Sequence, residues 1–239
     1  MAQELRQLRP FEEDLRLLSD ELLEMGALVA QSVHKSVFAL LDRNEDFAHQ
    51  VLRDESRVDQ LEIQIDDLAT SLIVRDQPVA RDMRFIVVAI KISTDLERMG
   101  DLAAGIVERA LSLMKQPPLP LGTQLSEIAN LVESMVLGAM DAFVRRDVSV
   151  ARGVLAADDA VDNIRNSIQQ QLTRMIQAEP TTAERAIDHL IIARALERIG
   201  DHATNIAEDI VFLVQGVDVR HRAMLRAEEI ARAALEKTA

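Results

Sequence analysis

Four carboxylate pairs with i,i+4 spacing stand at matching places in the two halves of this sequence: Glu55 and Asp59, Glu97 and Asp101, Asp158 and Asp162, Glu197 and Asp201. On a helix, residues i and i+4 share a face, so each pair projects both acids in one direction. Like charges at that spacing destabilise an isolated helix by about 0.2–0.5 kcal/mol. If neighbouring helices turn two such pairs toward each other, four carboxylates converge, and their desolvated charge calls for a cation. The ligands on offer are all oxygens, with neither a thiolate nor a histidine in the motif. That set suits hard divalent or trivalent ions such as iron, Mn²⁺, Mg²⁺ or Ca²⁺ better than zinc.

Acidic residues four apart are common on the solvated faces of any acidic helical chain, and recurrence is what singles these out. Leu-Glu-Arg-X-Gly-Asp occurs at 96–101 and again at 196–201, an offset of 100. Upstream, Ala48, Leu52, Glu55, Val58 and Asp59 answer to Ala151, Leu155, Asp158, Val161 and Asp162 at an offset of 103. Two matches at near-equal offsets indicate a duplicated unit. Gly100 and Gly200 fall mid-helix, where glycine costs about 1 kcal/mol relative to alanine, so something is expected to approach the backbone closely there. Arg98 and Arg198 directly follow their glutamates and point elsewhere, which predicts pairing with another acid or a neighbouring helix. His202 follows Asp201 but answers to Leu102, and it reads as a polar surface residue. His34, His49, His189 and His221 are scattered, with no Ser-His-Asp arrangement and no phosphate-cradling glycine loop. No catalytic residue is proposed, and the chain reads as a non-enzyme.

The elements that must carry these residues follow from periodicity. Leu15, Leu18, Leu22, Met25 and Val29 recur at spacings of three and four, as do Leu125, Ile128, Val132, Met135 and Ala139, the seams of long helices that pack on other helices. Breaks are predicted at Asp42 to Asn44, Gln77-Pro78, residues 117–122, Asp147, Glu179-Pro180 and Gly216. They leave six long helices and a tail, with Pro78 and Pro180 expected in the first turn of the helix each opens. The predicted fold is all-α, two tandem and similar antiparallel three-helix bundles. The first is placed at 1–116, a Pro-rich linker at 117–122, the second bundle at 123–217 and a helical extension at 218–239.

Composition mainly excludes. Hydrophobic residues make up 48% of the 239 and aromatics 3%, with no Trp or Tyr, so the core must be aliphatic. Against 27 Lys and Arg stand 40 Asp and Glu, a net charge of −13. That field repels nucleic-acid phosphates and anionic lipids, so direct nucleic-acid binding is not expected. The lack of cysteine excludes disulfides and thiolate chemistry. No basic region followed by an apolar stretch opens the chain, and the apolar run Phe85 to Ile90 is bounded by Arg84 and Lys91. Neither a signal peptide nor a membrane span is expected, which points to the cytoplasm.

Beyond the acidic motif, Glu24-Met25-Gly26, the run Gln77-Pro78-Val79-Ala80-Arg81-Asp82-Met83-Arg84, the segment Leu196 to Glu208 and Asp218-Val219-Arg220-His221 together resemble the PhoU family of bacterial phosphate-uptake regulators. The likeness runs over about residues 11 to 221. It implies two similar three-helix bundles of spectrin-repeat-like geometry, a cytoplasmic protein and a homodimer or larger assembly. It further implies metal at the Glu/Asp-X-X-X-Asp motifs, here the four pairs. The implied function is negative regulation of phosphate signalling, through contacts with the ATPase subunit of the phosphate ABC transporter and with a sensor histidine kinase. From the residues alone, an acidic helical metal-binding or metal-buffering protein is the alternative. A ferritin-like site would require Glu-X-X-His pairs, which the motifs lack. Residues 222–239 are expected to pack on the second bundle or to form an oligomer contact.

Overall fold

The computed structural model describes residues 2–217, with side chains described from Pro10 onward. Six long helices account for nearly all of them: α1 (Ala2–Asp42), α2 (Glu45–Asp76), α3 (Ala80–Leu113), α4 (Gly122–Arg145), α5 (Val148–Ala178) and α6 (Ala183–Gln215). No strand occurs among the described residues. Helices α1, α2 and α3 pack as one three-helix bundle and α4, α5 and α6 as a second. The extension and the Asp218–His221 segment lie outside the described residues.

The breaks follow backbone chemistry. Arg43 (φ 50°) takes a left-handed conformation after α1, and Arg146 (φ 52°) does so after α4. Asn44 then caps α2, its side-chain oxygen accepting from the Asp46 and Phe47 amides at 3.0 and 3.3 Å. At the same offset of 103, Asp147 caps α5 by accepting from the Ser149 and Val150 amides at 2.7 and 3.4 Å. The duplication therefore extends to the turn itself. Pro180 opens a three-residue 3₁₀ turn leading into α6, as its missing N–H permits. Pro78 differs from expectation. It precedes Val79, the cap residue of α3, and so lies outside the first turn.

The seams read from sequence are the core. Leu18, Leu22, Met25 and Val29 of α1 are fully buried, and Leu125, Ile128, Val132, Met135 and Ala139 of α4 nearly so. The two bundles also pack on each other, α3 against α6 and α1 against α4, so one apolar core runs through both. Gly26 of α1 permits the second contact, since a Cβ there would meet Met140 Cγ of α4 at 2.7 Å. Phe85 of α3 and Phe143 of α4 also stack between the bundles, with centroids 5.8 Å apart. Polar bonds at the first contact join Lys91 to Asp209 at 2.9 Å and Arg109 to Asp188 at 2.9 Å. The Pro-rich connection is tied down as well: Arg185 donates to the Pro117 carbonyl and Gln171 to the Pro120 carbonyl, at 2.8 and 3.1 Å.

Candidate metal centre

The neighbour predicted at the mid-helix glycines is a valine from the facing helix. A Cβ on Gly100 would lie 3.3 Å from Val58 Cγ1, so glycine lets α3 settle directly against α2. Asp59 follows Val58 and Asp101 follows Gly100, and the close approach brings the acids of both helices together. One oxygen each from Glu55, Asp59 and Asp101 lies within 4.8 Å of the others, with Glu55 half-buried and Asp101 exposed. Opposite oxygens around an ion with bonds of about 2.0–2.6 Å are separated by similar distances. The trio can therefore hold a hard cation.

Glu97 lies beside this group rather than in it. Its carboxyl is pushed above the usual range by burial, then by Asp101, Glu62 and Asp59, with Arg98 opposing. Glu55 is raised by burial and then by Asp59 and Asp101. Glu62, which has no acidic counterpart in the second half, belongs to the same patch: burial raises it most, followed by Asp66, Asp59 and Asp101. Its signal was its position, seven residues after Glu55 and three after Asp59 on the same helical face. Five carboxylates thus crowd one side of α2 and α3.

In the second half, α6 approaches α5 over Gly200, where a Cβ would sit 3.6 Å from Val161 Cγ1 and 3.7 Å from Met135 Cε. Asp158 is raised by burial and then by Asp201, Asp162, Asp159 and Glu197. Asp201 is raised by burial, Glu197 and Asp162, with His202 and Arg198 opposing. The four predicted residues are therefore neighbours here too, yet the trio of the first half is the one group of this kind with ligand atoms within 4.8 Å among the described residues. At the position matching Glu62 stands Arg165. Its Nη2 donates to Glu197 Oε1 at 2.6 Å and stands 3.6 Å from Asp162 Oδ1. Nη1 donates to Asn166 at 2.6 Å.

Two expectations are corrected. His202 is not a free surface residue. Its Nδ1 lies 2.8 Å from Asp95 Oδ1 on α3, both side chains largely buried, and Asn205 donates to the same oxygen at 3.4 Å. A polar side chain at this position pins α6 to α3 across the bundle contact. Arg98 and Arg198 form no ion pair within 4.0 Å among the described residues; exposed on their helices, they act on the acidic patches through space.

The description "PhoU domain" matches residues 22–110 and again 125–210, one match per bundle. The chain belongs to the PhoU family. It is 36% identical over 220 residues to the phosphate-specific transport system accessory protein PhoU homolog of Pseudomonas aeruginosa, covering 92% of this chain and 91% of that one. To PhoU homolog 1 of Thermotoga maritima it is 32% identical, over 88% of this chain and 91% of the relative. The crystal structure of PhoU from P. aeruginosa superposes with a TM-score of 0.84 at 35% identity, over 87% of this chain and 100% of that one. The phosphate transport system regulatory protein PhoU from Streptococcus pneumoniae superposes at 0.80 and 26% identity, over 87% and 99%. These relatives carry the names of accessory and regulatory proteins, not of enzymes. Among the described residues, no helix is long and apolar enough to cross a membrane.

Proposed function

We propose that this protein is a cytoplasmic negative regulator of phosphate uptake and signalling. In this reading it couples the ATPase subunit of a phosphate ABC transporter to a sensor histidine kinase through protein contacts, and suppresses the starvation response when phosphate is plentiful. The observation that carries the reading is similarity over 92% of the chain, in both bundles, to an accessory protein of phosphate-specific transport. The shape is compatible with an adaptor: six long helices in two fused bundles give a stiff body with extended acidic faces, suited to basic partner surfaces. A homodimer is part of the proposal. Deleting the gene should raise alkaline phosphatase expression in phosphate-rich medium, and unchanged expression would sink the reading.

Metal binding at the motifs of the first bundle belongs to the same proposal. Glu55, Asp59 and Asp101 would hold the ion, with Glu62 and Glu97 alongside. The all-oxygen donors, and a Glu55 carboxyl raised by burial and then by Asp59 and Asp101, favour a hard cation. A bound ion would neutralise the crowded face and tie α2 to α3, changing the charge offered to a partner. The second motif set, Asp158, Asp162, Glu197 and Asp201, presents the same residue types around Arg165. A metal-buffering role is favoured by the acidic trio alone, and it predicts normal phosphatase repression in the deletion strain.

A further inference from the structure

The two carboxylate clusters descend from one repeat, but they do not have the same charge. Counting by the offset of 103 that aligns Asn44 with Asp147 and Val58 with Val161, Glu62 of the first cluster becomes Arg165 in the second. This exchange replaces an anion with a cation between two sets whose four motif carboxylates correspond one to one. In the first half Glu62 adds to the repulsion felt by Glu97. In the second, the Arg165 guanidinium sits against the residue matching Glu97, 2.6 Å from Glu197 Oε1, and within 3.6 Å of Asp162. Both members of the Arg165–Glu197 pair are about four-fifths shielded, at 21% and 22% side-chain exposure.

We infer that Arg165 is a built-in counter-cation for the second cluster, so that the first cluster takes a metal ion and the second does not. The inference rests on the metal reading above. A guanidinium tethered to α5 is always charged and always present at its site, whereas a free ion must be recruited from solution. It draws one oxygen of Glu197 into a short charge-assisted hydrogen bond and opposes the entry of a second positive charge between Asp162 and Glu197. Arg198 cannot account for the difference, because its counterpart Arg98 stands at the same place in the first cluster. The exchange at Glu62 and Arg165 is the charge reversal that separates them.

The test is a calorimetric titration of the full-length, chelator-treated chain with Mn²⁺. Asp101→Asn should weaken binding at least about tenfold, as loss of a ligand would, while Asp201→Asn should change it less than about twofold. In Arg165→Met and Arg165→Glu an additional binding event should appear, and adding Asp201→Asn to either should remove it. Wild-type binding that falls as much in Asp201→Asn as in Asp101→Asn would overturn the inference, without recourse to any Arg165 variant. So would helical, folded Arg165→Met and Arg165→Glu proteins that gain no Mn²⁺ binding. Should the wild type bind no Mn²⁺ at all, the metal reading of the first cluster falls alone, and gain or no gain in the Arg165 variants still decides this one.

Discussion

Asp101→Asn should stabilise the metal-free protein and remove its response to metal. The three oxygens of Glu55, Asp59 and Asp101 lie within 4.8 Å of one another. At that separation two unit charges repel by about 0.9 kcal/mol in a water-like dielectric. Screening with a Debye length of about 8 Å brings this to about 0.5 kcal/mol per pair. Asparagine has nearly the volume of aspartate and a similar helix propensity, so the substitution deletes two of the three repulsions and little else. The gain is about 1 kcal/mol, a rise in Tm of about 2–4 °C for a chain of this size. Metal acts in the opposite sense. An ion present at a hundred times its Kd stabilises the wild type by about 2.7 kcal/mol, an increment that Asp101→Asn should lose. Thermal unfolding of the chelator-treated chain, followed by far-ultraviolet circular dichroism with and without Mn²⁺, reads both effects. A metal-free Asp101→Asn protein that melts below the wild type would refute the repulsion argument. Equal Mn²⁺ increments in the two proteins would refute the ligand assignment.

Burial, with the same crowding added to it, fixes a pH dependence. Glu55, Glu62, Glu97, Asp158 and Asp201 all have carboxyls raised above their ordinary values of 4.5 or 3.8, so between the ordinary and raised values the folded state binds more protons than the unfolded one. Their contribution to stability therefore improves as pH falls from neutrality through that window, while metal binding weakens as its ligands protonate. The Mn²⁺ increment in Tm should shrink steadily toward pH 5; a constant increment would contradict the assignment. Gly105 has open space where a Cβ would go, and Gly105→Ala should stabilise by about 1 kcal/mol through helix propensity. Gly26→Ala has the same propensity gain but meets Met140 Cγ at 2.7 Å, and overpacking of about 1–3 kcal/mol should leave it the less stable of the two by urea unfolding. His202→Leu, which installs the residue of the first repeat, strips a partner from the shielded Asp95 and should cost about 1–2 kcal/mol. A double-mutant cycle with Asp95→Asn should show coupling of at least about 0.5 kcal/mol, and additive effects would place the two residues apart.

Periodicity was enough for the helices because each buries a continuous stripe. The seam from Leu18 to Val29 and its counterpart from Leu125 to Ala139 are closed to solvent along their length. What periodicity does not encode is which other surface a helix meets. Both α3 and α6 bury broad stripes, on α3 from Ile86 and Ser93 at one edge to Val88 and Met99 at the other, since each faces its own bundle and the other. The packing of bundle on bundle was therefore not legible, although His202 carried a hint: a histidine standing where the repeat has Leu102 occupies a position with an apolar counterpart. At the acidic patch, a search by similarity finds what the halves share and passes over where they differ. Glu62 and Arg165 are such a difference, and it becomes visible only when the offset is carried past the last matching residue.

The placement of the candidate ligands bears on how a metal can act here. Glu55 and Asp59 lie on α2 either side of Val58, and Asp101 on α3 next to Gly100, so their spacing is set by the helix–helix contact of Val58 on Gly100. Beneath that contact, Val58, Leu61, Ile65, Leu96 and Met99 are shut away from water. A site whose backbone is held by an apolar core differs from one whose folding depends on the metal. Removing the ion from such a site returns the carboxylates to mutual repulsion and leaves the bundle standing. Metal occupancy then changes the charge and tightness of one face more than the fold, which is what an adaptor read by basic surfaces would use.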